Sequence, residues 1–152
     1  MGLLYCTSMT APTASLLRAD EDRVLGLLRK YRIAPTSQRV TIGRLLFACD
    51  QHLTAEEVLA SLRAEGQRVS KATVYNTLNL FAERGLLRTV SAQPGRSSFD
   101  SNMRPHFHFH VEDTGELIDV EPGEVEFARL PTLPPGTESL GVEVVIRLRR
   151  KS

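Results

Sequence analysis

Three histidines stand at alternate positions, His106, His108 and His110, with Phe107 and Phe109 between them. A strand turns alternate side chains to one face, so this spacing stacks three imidazoles along one side. Asp100 lies shortly before them and Asp119 sits on the next apolar segment. Imidazole nitrogens with carboxylate oxygens suit Fe(II), Mn(II), Co(II) or Zn(II). His52 completes the histidine complement of the chain, and Glu126 is a further candidate ligand beside His110. The two cysteines, Cys6 and Cys49, lie in neither a C-x-x-C nor a Cys-Pro context. That excludes a disulfide framework and a thiolate zinc knuckle, so any metal site must be built from nitrogen and oxygen.

Such residues need a scaffold, and 152 residues with 41% apolar side chains make one ordinary domain or two very small ones. No run approaches the length of a membrane span, and Met1 to Thr13 lacks a basic start before a long apolar segment. A cytoplasmic protein without a membrane partner is the expectation. Split after Asp100, the front holds 13 Lys+Arg against 9 Asp+Glu and the back 6 against 9, or +4 and −3. A basic front and an acidic back point to a polyanion-binding half joined to a half with another task.

The front reads as helices after a loose polar tail over 1–18. Leu25, Leu28 and Tyr31 recur at helical spacing after Asp20, Glu21 and Asp22, predicting a first helix over 20–31. A second is expected from Thr36 to about Cys49. A third starts at the capping box Thr54-Ala55-Glu56-Glu57 and ends near Gly66; a fourth is capped by Ser70, turns Val74, Leu78 and Phe81 inward and stops at Gly85. Strands over 87–91 and 97–100, joined by Gln93-Pro94-Gly95-Arg96, add a β-hairpin. The combination predicts a winged helix-turn-helix domain over 19–101. On the fourth helix Ala72, Asn76 and Asn79 point away from the core, with Thr73 and Tyr75 on the flanks. Ala72 and Tyr75 suit thymine methyls and Asn76 suits base edges, Thr73 is expected among these DNA-binding residues, and Arg39, Lys71 and Arg96 suit phosphates. The expected partner is double-stranded DNA.

Beyond Asp100 the periodicity becomes alternating. Strands are expected over 106–111, 116–120 and 141–149, with a short helix near 124–129 and a Pro-rich link over 131–135. Val142, Val144, Ile146 and Leu148 form one apolar face that a thin sheet cannot cover, which predicts a homodimer built by residues 102–152. Phe107 and Phe109 are expected to point into the core and the histidines away from it. An oxygenase would need a roomy β-barrel, and the strands are too few, so no enzyme and no small-molecule substrate are expected; a metal or haem carrier is the remaining alternative class.

The segments Pro35-Thr36-Ser37-Gln38-Arg39, His52-Leu53-Thr54-Ala55-Glu56, Ser70-Lys71-Ala72-Thr73-Val74-Tyr75-Asn76-Thr77-Leu78, Gly85-Leu86-Leu87 and His106-x-His108 with Gly115-Glu116-Leu117-Ile118-Asp119 resemble those of the ferric uptake regulators. Phe99-Asp100-Ser101-Asn102 and Val144-Val145-Ile146-Arg147-Leu148-Arg149 are most similar to the iron response branch of the α-proteobacteria. The resemblance implies an α+β protein, an N-terminal winged helix followed by a small α/β dimerisation domain. It also implies a homodimeric metal- or haem-responsive transcription regulator of iron homeostasis, or an Fe(II)- or Mn(II)-activated repressor of peroxide or metal-uptake genes. The regulatory ligands carry over onto His52, Asp100, His106, His108 and Asp119, for Fe(II) or Mn(II), with Zn(II) in vitro and haem as an alternative. Two departures stand out. Val111 and Thr114 occupy the positions where most relatives carry the first C-x-x-C of a structural four-cysteine zinc site, so that zinc is absent. Phe107 and Phe109 interrupt the contiguous histidine run of the iron response branch.

Overall fold

The computed structural model describes residues 19–93 and 95–151, so the expected tail 1–18 and the turn residue Pro94 lie outside the described residues. The chain divides into two compact units, with the break between Met103 and Arg104.

The first unit holds α1 (Glu21–Lys30), α2 (Ser37–Leu46), β1 (His52–Leu53), α3 (Ala55–Ala64), α4 (Lys71–Glu83), β2 (Arg88–Gln93) and β3 (Arg96–Asp100). Each helix begins where a short polar side chain satisfies an otherwise unpaired N–H: Asp20, Thr36, Thr54 and Ser70 are the caps. At α3 the capping box is complete, Thr54 and Glu57 bonding each other's backbone reciprocally. α4 ends at Gly85, whose φ of 81° only glycine adopts readily, letting the Leu86 N–H reach back to the Phe81 carbonyl at 2.8 Å. α2 stops sooner than expected. The Gln51 side-chain amide donates to the carbonyls of Leu45 and Leu46 at 2.7 and 3.1 Å and so satisfies the last turn.

The inner faces of the four helices supply one core, with Leu28, Ile42, Leu45, Leu62, Leu78 and Phe81 fully buried. Phe47 and Phe81 meet with ring centroids 5.9 Å apart. α1 and α2 approach closely at Gly43, where an added Cβ would lie 2.7 Å from Val24 Cγ1. The wing is a three-stranded sheet in the order β1-β3-β2, not the expected hairpin alone. Its extra strand is the pair His52 and Leu53, which places His52 opposite Asp100 and Leu53 opposite Phe99.

The second unit is a three-stranded sheet, order β5-β4-β6, of β4 (Phe107–Val111), β5 (Glu116–Val120) and β6 (Val145–Leu148). β4 and β5 are antiparallel, whereas β6 runs parallel to β4 and is reached by a long connection. Three expectations are corrected here. The helix near 124–129 is replaced by a single 3-10 turn, Pro122–Glu124, followed by irregular chain; Pro131, Pro134 and Pro135 remove donors and break helical continuation. The last strand covers Val145–Leu148 and not 141–149, so Val142 and Val144 precede it and only Ile146 and Leu148 of the expected apolar face share a strand face. The buried face of β4 belongs to the histidines: His106, His108 and His110 are 7%, 5% and 1% exposed, while Phe107 and Phe109 are half-buried. Alternation shows that two faces differ, not which of them turns inward.

Candidate metal centre and nucleic-acid interface

In the second unit, His106 just before β4 and His108 within it lie side by side and buried, and register puts Asp119 of β5 opposite His108. The two Nε2 atoms lie 2.9 Å apart, and Asp119 Oδ1 lies 3.5 Å from the first and 4.0 Å from the second. His106 Nδ1 is 2.7 Å from the Arg104 carbonyl oxygen, an acceptor only, so Nδ1 carries the proton there and Nε2 presents its lone pair. That tautomer is the one a metal-binding imidazole needs, with the outer nitrogen held by a backbone carbonyl. Two imidazole nitrogens and a carboxylate oxygen converging on one point fit a borderline or hard divalent ion such as Fe(II), Mn(II) or Zn(II). His110 lies on the same face, deeper than the other two, and among the described residues its Nδ1 has no hydrogen-bond partner. Glu126 is exposed in the irregular chain after the 3-10 turn.

In the first unit a second pair of donors is set by strand pairing. His52 Nε2 lies 3.5 Å from Asp100 Oδ2, and Asp100 is completely buried. The other carboxylate oxygen, Oδ1, accepts the Asn102 N–H at 2.8 Å, which fixes the carboxylate plane and leaves Oδ2 facing the imidazole. Ser101 beside it binds the Cys49 carbonyl and the Gln51 N–H, both at 3.0 Å, anchoring the end of β3 to the loop that carries His52. Sequence reasoning missed the helpers Arg104, Ser101 and Asn102, because their contributions run through backbone groups or local turns that residue type does not reveal.

The outer face of α4 exposes Lys71, Ala72, Asn76 and Asn79. Thr73 is half-buried, and its hydroxyl lies 2.8 Å from that of the cap Ser70, which gives it a role in starting the helix. Tyr75 is half-buried and donates its hydroxyl proton to Glu56 on α3, while the Lys71 ammonium lies 5.5 Å from the Tyr75 ring centroid. Accepting that proton holds Glu56 below the usual carboxylate range, with a backbone hydrogen bond and the charges of Lys71 and Arg96 adding to the effect. The same bond holds the Tyr75 hydroxyl above its ordinary value. Arg96, on the wing, lies 3.8 Å from Glu57. Arg39 donates to the Ala34 carbonyl at 2.7 Å, so its guanidinium is held near the start of α2.

Of the residues expected at a dimer interface, Val142 and Ile146 are exposed, and Val144 and Leu148 half-buried. Phe127, Leu130, Leu133 and Leu140 are also exposed in this unit. Among the described residues, no helix is long and apolar enough to cross a membrane.

Residues 30–132 match the profile of the ferric uptake regulator family. A peroxide-responsive repressor, PerR, of Staphylococcus epidermidis is 32% identical over 111 residues, 73% of either chain. A PerR of Staphylococcus aureus is 33% identical over 100 residues, 66% of this chain and 68% of its own. Among solved structures, the ferric uptake regulator of Pseudomonas aeruginosa with manganese superposes with a TM-score of 0.66 at 28% identity, over 85% of this chain and 98% of that one. The Vibrio cholerae ferric uptake regulator shares the fold, with a TM-score of 0.64 at 23% identity over 82% and 98%.

Proposed function

The chain belongs to the ferric uptake regulator family, and from that premise we propose that it is a homodimeric, Fe(II)- or Mn(II)-dependent DNA-binding repressor acting in the cytoplasm. Members of the family are metal-responsive transcription regulators and not enzymes. The observation that carries the reading is the convergence of His106, His108 and Asp119, with the His106 tautomer set by the Arg104 carbonyl, in a chain whose other unit is a winged helix. His52 and Asp100 are proposed as a further pair of regulatory donors, set against each other by strand pairing within the first unit. An ion held by these donors would supply positive charge against the carboxylates; the Arg104 carbonyl orients His106, Asn102 fixes the Asp100 carboxylate, and Ser101 anchors the loop that carries His52. Imidazole and carboxylate hold Fe(II) or Mn(II) less tightly than thiolates hold zinc, which allows exchange with the cell's pool.

The repressor reading is favoured over that of the iron response branch because the curated relatives described above are peroxide-responsive repressors. Dimerisation falls to the second unit, where exposed Val142, Ile146, Phe127 and Leu130 need cover. Asn76 and the Tyr75 ring read base edges from α4, with Ala72 beside them, and Lys71, Arg96 and Arg39 meet phosphates.

The test is binding to a duplex selected from a random pool, measured with chelator, Fe(II), Mn(II), Zn(II) and haem in separate arms, for the wild type and for His106→Ala with His108→Ala. Metal-dependent affinity in the wild type that is lost in a folded, dimeric double variant supports the reading. An identical metal response in both proteins removes these histidines from the switch. A response to haem alone overturns the choice of metal.

A further inference from the structure

We propose that Glu56 and Glu57, in the first turn of α3, position the DNA-contacting side chains: Glu56 aims the Tyr75 ring, and Glu57 holds Arg96 where a phosphate must replace it. The proposal rests on the reading above that Tyr75 and Arg96 face DNA.

A pair of carboxylates is an unexpected neighbour for a surface that meets a polyanion. Part of the explanation is local, since acidic groups favour a helix N-terminus and Glu57 completes the capping box. That duty uses one oxygen only: Glu57 Oε2 accepts from the Thr54 N–H at 2.7 Å and its hydroxyl at 2.9 Å. Glu57 Oε1 remains for Arg96, at 3.8 Å. Glu56 takes no part in the box; its Oε1 accepts the Tyr75 hydroxyl proton. Lys71, one helical turn before Tyr75 on α4, adds a cation over the same ring. Three of the side chains assigned to DNA are therefore gathered around the first turn of one neighbouring helix.

The two contacts differ in what DNA does to them. A phenol that donates to Glu56 keeps its ring edge available to a thymine methyl, so this contact persists on DNA and restricts the ring to one orientation. A guanidinium that leaves Glu57 for a phosphate exchanges one anionic oxygen for another, and Glu57 must then recruit a cation from solution. The side chains of Arg96 and Glu57 are both 49% exposed, so the exchange is cheap and the expected effect small, about two- to five-fold. Cation uptake by Glu57 offsets part of the counterion release that drives DNA binding.

The experiment uses the full chain loaded with Mn(II), titrated by fluorescence anisotropy onto a pool-selected duplex and a scrambled duplex of equal composition, across a salt series. Glu57→Gln keeps the capping box, which accepts either residue, and removes the charge. It should bind both duplexes about two- to five-fold more tightly, with a salt slope steeper by up to about one. In an Arg96→Ala background that gain should disappear. Glu56→Ala should lower the preference for the selected duplex about five-fold, and Glu56→Gln, which still accepts the phenol proton, should restore it. Unchanged or weaker binding by Glu57→Gln, a gain that survives Arg96→Ala, or an unaltered preference in Glu56→Ala each overturns the proposal. If Arg96→Ala and Tyr75→Ala leave DNA binding intact, the reading of the DNA surface falls with it. If they weaken binding while the glutamate variants do nothing, only the positioning role falls.

Discussion

The two units bury different things. The first closes an apolar core by itself: every member of its cluster, from Ala19 to Phe99, comes from the four helices, the residues flanking them and the wing. In the second unit Val111 and Val120 are the buried hydrophobic residues among those described, and the other buried side chains are His106, His108 and His110. Its apolar residues are largely outside, on the long connection and on β6. A unit held by aliphatic packing is stable in the absence of any signal. The second unit buries imidazoles and leaves apolar side chains exposed, so it has less apolar burial of its own to draw on.

The largest expected effect lies in the first unit. Phe81→Ala should cost ~3 to 5 kcal/mol, because the ring is fully buried against Phe47 and leaves a cavity. Thermal unfolding followed by far-UV dichroism should show the same loss with Mn(II) and with chelator. A loss that metal repairs would mean that the first core is not independent.

Next in size is the response of the second unit to metal. At a hundredfold excess over its dissociation constant, Mn(II) should add ~2.7 kcal/mol to the unfolding free energy. His106→Ala with His108→Ala should abolish that increment, as read by calorimetry. Protection of α1 to α4 amides instead of β4 and β5 amides in hydrogen exchange would reverse the contrast between the units.

Phe107→Ala sharpens the same contrast. Full burial of both phenylalanines would make this change cost ~3 to 5 kcal/mol. Phe107 is half-buried, with the Phe127 ring 5.8 Å away edge-on, so ~1 to 2 kcal/mol is expected. A cost above that range in the monomer would show that its ring is covered more fully than by Phe127.

The smallest effect is a titration within the first unit. Tyr75 has its phenol pKa raised by donation to Glu56, so the stability this bond contributes is present below the ordinary phenol value and is lost as pH rises through the folded one. Ultraviolet difference titration should show phenolate appearing at lower pH in Glu56→Ala than in the wild type. Superimposable curves would remove the bond.

The helical half was legible because its signals are local. Asp20, Thr36, Thr54 and Ser70 cap the helices where their types and spacing say they should, and Gly85 stops α4 for a steric reason carried by one residue. The alternation of His106, His108 and His110 was equally legible, and they share one face of the strand as their spacing predicts. β1 was not, because two residues hold no period: His52 and Leu53 are a strand only through their partners Asp100 and Phe99. The helix expected near 124–129 rested on a weak pattern, and the chain there is irregular after the 3-10 turn Pro122–Glu124.

Residue types and spacing were thus enough to establish the winged helix, which follows from short-range chemistry. Chain crossings settled the rest. Strand pairing sets Asp100 against His52, the Arg104 carbonyl selects the tautomer of His106, and β4 turns its imidazoles and not its phenylalanines inward. Each of these depends on a neighbour brought close by folding, often a backbone carbonyl or N–H, and such groups are the same at every position of the sequence and become specific only in space.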